Sequence, residues 1–184
     1  SRCHAAGGGG WGWRRPQTTE GELGVLRGRG GPAGRTSRGA GARRAVGWWL
    51  VGCSRAMLAL ARQHALDRVQ FGKPIASFQA VRHRRAETLV ASEGAEATLT
   101  LPSADNPDLL ALLAKAAAGK AALTAAKHCQ QVLGGIGFTE EHDLHRHVKR
   151  VLVLDGLLGS SKELTRRAGA GSPRYDTSKT VATP

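Results

Sequence analysis

Arg68 stands near the end of an apolar-periodic run, where its guanidinium can donate a bidentate pair of hydrogen bonds to a phosphate. The glycine pair Gly134 and Gly135 lets a backbone come close to a bulky ligand. Each has an ordinary explanation as well. Arg68 alone reads better as a solvated helix terminus, and two glycines can simply stop a helix. His142, His145 and His147 form a further cluster, with His142 and His145 on one helix face at i and i+3. Two imidazoles are too few ligands and no carboxylate or cysteine clearly completes the set, so no metal is expected and these read as surface histidines. The run RHRRAE, residues 82–87, likewise reads as a solvated face. Cys3, Cys53 and Cys129 are far apart, odd in number and lack a C-x-x-C, which indicates neither a disulfide framework nor zinc.

The elements that must position these groups follow from apolar spacing. Leu50, Cys53, Met57, Leu60 and His64 recur every 3 or 4 residues, predicting a helix from about residue 46 to Arg68, stopped by Gly72 and Pro74. Phe78, Val81, Ala86, Leu89 and Val90 support a second helix to about residue 99. A loop of turn formers, residues 100–107, follows. The third helix has the clearest start, with Asn106 as N-cap, Pro107 at the first helical position and Asp108 against the positive end of the dipole. Leu109, Leu112, Leu113, Ala116, Leu123 and Val132 mark its apolar side, and Gly134 with Gly135 ends it. A fourth helix is expected to open at Thr139, with Glu140 and Glu141 in its first turn, and to bury Leu144, Val148, Val151 and Leu152. Ser160 and Glu163 suggest a capping box for a short last helix. Almost no strand signal is present. The expected fold is all-α: an antiparallel four-helix bundle over residues 46–168, flanked by a disordered N-terminal segment, residues 1–44, and a flexible tail, residues 169–184.

Composition agrees with helices. At 184 residues and 19.3 kDa there is room for one ordinary domain. Aromatics are only 4%, so the core must come from Leu, Val and Ala, which disfavours an all-β sandwich. No run approaches 18 uncharged apolar residues and the start lacks signal-peptide order, so the sequence reads as cytoplasmic, with no membrane partner. The net charge of +13 is lopsided: the first 54 residues hold nine Arg against Glu20 and Glu22, a surplus of 7, and 15 of the 25 glycines. An Arg/Gly-rich stretch around RGRGG, residues 27–31, could meet phosphates electrostatically, but the bland reading of a poorly ordered start is preferred and no nucleic acid is expected.

Two longer stretches say more than periodicity. RVQFGKPIASFQAVRHRRAE, from Arg68 to Glu87, is followed some 40 residues later by QVLGGIGFTEEHDLHRHVKR, from Gln131 to Arg150. Together they resemble the C-terminal domain of the acyl-CoA dehydrogenases, whose segments read R-x-Q-F-G-x-x-I-x-x-F-Q and Q-x-x-G-G-x-G-[FY]-T-x-E. The resemblance covers residues 46 to about 167. It implies FAD-dependent oxidation of an acyl-CoA to its enoyl-CoA in a homo- or hetero-oligomer of dehydrogenase subunits. By the family pattern Arg68 and Phe71 touch the FAD of a neighbouring subunit and Gln79 lies nearby. Gln131, Gly134 and Gly135 receive its adenosine and pyrophosphate portion, and Gly159 with Ser160 matches the loop that meets the flavin nucleotide.

The departures are as informative. Many members carry the catalytic base in a Y-E-G-T segment, which aligns with Leu157, Leu158, Gly159 and Ser160, so a leucine stands where the glutamate is expected. Leucine accepts no proton, and this locus offers no catalytic residue. Asp155 and Glu163 would not project to the same point, and Glu163 is better explained as a cap. The family's N-terminal helical domain and middle β-domain have no counterpart here. The resemblance therefore implies an acyl-CoA dehydrogenase-like subunit or fragment, inactive alone. The alternative is a non-catalytic helical partner that completes a flavin site on another chain, and a remote third is an Arg/Gly-dependent nucleic-acid binder.

Overall fold

A computed structural model describes residues 32–102 and 106–171. Five α-helices are present among them: α1 (Pro32–Asp67), α2 (Gln79–Thr100), α3 (Pro107–Leu133), α4 (Leu144–Gly156) and α5 (Ser161–Gly171). The only strands among the described residues are β1 (Val69–Gln70) and β2 (Lys73–Pro74), an antiparallel pair with Val69 opposite Pro74 and Gln70 opposite Lys73. Short 3₁₀ turns cover Ile75–Ser77 and Gly134–Phe138. The bundle is built from Thr36 onward.

α3 is the central helix, packed against α2, α4 and α5. By length and composition alone it would pass for a membrane span, contrary to the expectation that no stretch comes near one, but over half of that apolar window is buried in the bundle. Its Ala114, Ala118, Ala121, Ala122 and Ala125 face the core, where a stripe of small side chains lets helix backbones approach. α1 lies along α2. Leu50, Val51, Met57 and Ala61 of α1 join Ala95 and Leu99 of α2 in one cluster, and Arg55 pairs with Glu93 at 3.2 Å and with Glu96. Arg44 donates to the carbonyls of Leu99 and, at 3.0 Å, of Leu101, closing the C-terminal end of α2.

The third helix starts as its sequence dictates: the Asn106 side chain accepts from the Leu109 N–H at 3.0 Å, with Pro107 in the first turn. The Ser160 hydroxyl likewise accepts from the Glu163 N–H at 3.3 Å at the head of α5. Other expectations need correction. Helix α1 begins at Pro32, so residues 32–44 are helical rather than disordered; within that stretch Ala40 is buried and Arg44 is tied to the end of α2. The RGRGG stretch lies outside the described residues. The fourth helix starts at Leu144, not Thr139, because Glu140 and Glu141 lie in an exposed bend and His142 Nδ1 accepts the Leu144 N–H at 3.1 Å. Leu152, Leu89, Val90 and Leu113 are exposed, and their places in the core are taken by Leu154, by Thr88 and Ser92, and by alanines of α3. α5 runs to Gly171, so residues 169–171 are helical too, and the rest of the expected tail lies outside the described residues.

Candidate cofactor-binding surfaces

The first surface grows from the end of α1. The Arg68 N–H donates to the His64 carbonyl at 2.9 Å and closes the helix, while the Arg68 carbonyl accepts from the Ile75 N–H at 2.9 Å and closes the hairpin. Its backbone is thereby fixed at the junction and its side chain is exposed. The two-residue hairpin turn has positive φ at both central residues, Phe71 (53°) and Gly72 (75°), the geometry that follows the twist of two short strands. For a phenylalanine this is strained backbone. The Phe71 ring is 91% exposed and meets Phe78 edge-on at 6.1 Å, with the Lys73 ammonium 4.8 Å from the Phe78 ring.

Gln79 opens α2 directly after Phe78, its Nε2 lying 3.4 Å from His83 Nε2. Beside it a shallow cavity of about 350 Å³ runs between α2 and the end of α3, lined by Ala80, His83, Arg84, Glu87, Lys127, His128 and Gln131. His128 is held there by Thr88 Oγ1 at 3.2 Å from Nδ1 and by Glu87 at 3.6 Å from Nε2. Glu87 is the only acid in that lining, so the cavity is cationic and suits a phosphate-bearing ligand. Past Gln131, Gly134 caps α3 with φ 64°, a conformation that disfavours any other residue. A Cβ on Gly134 or Gly135 would meet nothing within 4 Å, whereas one on Gly137 would sit 2.8 Å from the Gln130 carbonyl. Gly137 is therefore a packing glycine, and the first two leave open space in front of the backbone. The fold thus sets Phe71 against Phe78, the residue before Gln79, and places Gln131 in the lining of the neighbouring cavity with Gly134 three residues further on.

The second surface is the turn between α4 and α5. Leu158 has φ 61° and Gly159 φ 102°, and Leu158 is 40% exposed. Phe71 and Leu158 are the only non-glycine residues with positive φ among the described ones, and each stands at a position singled out in the sequence. The turn is pinned from below by Lys115 of α3, whose side chain is fully buried. Lys115 Nζ donates to the Asp155 carbonyl at 2.6 Å and to the Gly159 carbonyl, and it lies 4.0 Å from Asp155 Oδ1. Asp155 Oδ1 also accepts the Ser161 N–H at 3.1 Å, capping α5. That carboxylate oxygen is thus engaged by the head of α5 and lies beside the buried ammonium.

Gly159 and Ser160 do not join the other site residues. Lys115 and Gln131 lie 16 positions apart on α3, about 24 Å at 1.5 Å per residue. One bundle therefore presents two separate surfaces, at different levels of the same central helix.

One further residue supports the second surface from beneath, and a second acts on it through its charge. Lys115 sits among alanines and leucines, and a lone lysine in an apolar helix was the available signal. Burial pushes its ammonium pKa below the ordinary lysine value, with Asp155 opposing that shift and Arg43 adding to it. Arg43 of α1 is half-buried, and its Nε is shielded from solvent without a hydrogen-bond partner. It lies in the stretch read as disordered, so nothing pointed to it. The histidines serve locally: His142 caps α4, and His145 Nδ1 lies 2.9 Å from the His142 carbonyl.

Residues 36–171 match the family model described as acyl-CoA dehydrogenase, C-terminal domain. The chain belongs to the acyl-CoA dehydrogenase family. It is 41% identical over 126 residues to acyl-CoA dehydrogenase FadE34 of Mycobacterium tuberculosis, covering 65% of this chain and 18% of that protein. It is 39% identical over 117 residues to acyl-CoA dehydrogenase IpdE2 of the same organism, covering 64% and 37%. Among solved structures, the ChsE4-ChsE5 complex from Mycobacterium tuberculosis superposes with a TM-score of 0.72 at 28% identity, over 78% of this chain and 42% of that one. The Tcur3481-Tcur3483 steroid ACAD G363A variant gives 0.71 at 27%, over 76% and 40%. The chain thus spans less than half the length of these relatives.

Proposed function

We propose that this chain supplies the C-terminal helical part of an FAD-dependent acyl-CoA dehydrogenase and holds the dinucleotide across a subunit interface. The observation that carries the reading is the pair of surfaces on opposite stretches of α3. A single dinucleotide site would draw its residues to one place, whereas two half-sites serve two cofactors, each shared with a neighbouring chain. Bound there, FAD would supply the acceptor for the hydride leaving the β-carbon of an acyl thioester.

The residues fit such a ligand. Arg68, Arg84 and Lys127 offer guanidinium and ammonium donors to a pyrophosphate, and Gln131 offers an amide at the rim. Gly134 and Gly135 leave the close approach open, and Phe71 offers an exposed ring face. At the second surface, Gly159 and Ser160 present a backbone turn held rigid from below.

A second reading is favoured by Leu158. No side chain at that position takes the α-proton, and the adjacent Asp155 carboxylate is engaged with Ser161 and Lys115. The chain then serves as the non-catalytic member of a mixed assembly, and the base comes from another chain. Co-expression with candidate dehydrogenase subunits, followed by a flavin spectrum and acyl-CoA-dependent dye reduction, tests both. Truncation of Arg68 and Gln131 to alanine should strip flavin absorbance from the assembly; unchanged absorbance rejects the cofactor reading. Activity from the isolated chain rejects the partner-only reading.

A further inference from the structure

We infer that Lys115 is a positioning residue: its buried ammonium latches the strained turn from Leu157 to Ser160 in the shape that the second surface needs. That the turn faces a flavin rests on the reading above; the latch rests on geometry alone.

A lysine is an expensive way to fill a core, because burial strips the ammonium of its water. Leucine or methionine would fill the same volume among the alanines of α3. The lysine is instead matched to the turn. Its ammonium donates to the Asp155 carbonyl at 2.6 Å and to the Gly159 carbonyl, with the Asp155 carboxylate 4.0 Å away as a counter-charge. The two carbonyls bracket the turn, and the first would otherwise belong to the frayed end of α4. Between them Leu158 holds φ 61°, which an L-residue adopts only when its surroundings impose it. Gly159 at φ 102° must be glycine, since a Cβ there would also fall 2.8 Å from the Leu164 side chain, whereas Leu158 carries its side chain in the left-handed region. Asp155 completes the arrangement, since one carboxylate oxygen both neighbours the ammonium and caps α5 at Ser161. One side chain from the central helix thereby fixes the end of α4, the turn and the start of α5.

The test is amide hydrogen exchange on the full chain with Lys115→Met, and with Lys120→Met, an exposed lysine of the same helix, as control. The amides of Leu157, Ser161 and Leu164, each hydrogen-bonded in or beside the turn, should exchange at least tenfold faster in Lys115→Met. Those of Ala121 to Ala126 should be unchanged, and Lys120→Met should move neither set. Adding Leu158→Gly, which removes the penalty of the left-handed conformation, should restore protection to within threefold of the parent. Equal acceleration in α3 and in the turn would reduce Lys115 to a core filler, and an unaltered turn would reject the latch. Should Lys115→Met fail to fold, recovery of helical circular dichroism in the Lys115→Met, Leu158→Gly double variant supports the latch, and no recovery overturns it. In a flavin-loaded assembly, Lys115→Met should release FAD at least tenfold faster. A parent assembly that never retains FAD rejects the proposed function and leaves the exchange result to decide the latch.

Discussion

Gly119 lies directly beneath Asp155, so close that a Cβ there would fall 2.3 Å from Oδ1 and 3.0 Å from the Ser161 Cβ. The carboxylate cannot swing away freely, because the same oxygen caps Ser161 and neighbours Lys115. Gly119→Ala should therefore destabilise the bundle by about 1–3 kcal/mol, the usual cost of an overpacked contact, despite the better helix propensity of alanine. Urea unfolding measures it; a neutral or stabilising result would show that the α3 to α5 contact is loose.

Phe71 combines a left-handed backbone with a ring that packs on little except Phe78. Phe71→Asn places a residue tolerant of that conformation in the turn. Stability should change by no more than about 0.5 kcal/mol, while flavin retention by the assembled protein falls. Thermal unfolding and flavin absorbance of one preparation separate the two effects. A large loss of stability with intact flavin would show that the ring serves the fold instead.

Burial pushes the Cys129 thiol up to about 12, and burial also raises Cys53, against the opposing charge of Arg150. Both should resist thiol reagents at pH 8 in the folded chain and label promptly in denaturant, since the thiolate is the reactive form. Mass spectrometry of labelled peptides reads each site. Fast native labelling of Cys129 would mean that the bundle opens readily around the C-terminal end of α3.

His64 and His147 are both held below the ordinary histidine value of 6.5. For His64 the causes are burial, then the charges of His142 and Arg68, with Asp67 opposing. For His147 they are burial and then Arg150, again with an acid, Asp143, opposing. The unfolded chain takes up these protons first as pH falls through 6.5, so stability should decline on acidification below that value. The decline should level off once pH has passed the lower folded values. Urea midpoints at pH 7.5 and 5.5 should differ in that direction, and His147→Gln should reduce the difference. A rise in stability toward pH 5.5 would contradict the burial of both imidazoles.

Some of this was legible in the residue order. Asn106 and Pro107 set the head of α3 because a cap is a local hydrogen bond, decided within four residues. Ser160 and Glu163 open α5 for the same reason. The acyl-CoA dehydrogenase pattern stood out because its two segments keep particular residue types at fixed offsets. Errors fell where side chains of mixed character had to choose a neighbour. Leu89 and Val90 look like core but face outward, since α2 meets α3 and α1 through Thr88, Ser92, Ala95 and Leu99.

The sequence by itself determined the helical class, most of the helix ends and the family, all of which depend on local preference or on short strings of residues. Only the tertiary structure decided that residues 32–44 continue α1, that Lys115 reaches under a turn 44 positions further along, and that the site residues divide into two surfaces. Those relationships join segments distant in the chain. A lysine's spacing says which helix carries it, but only packing says which carbonyls it meets.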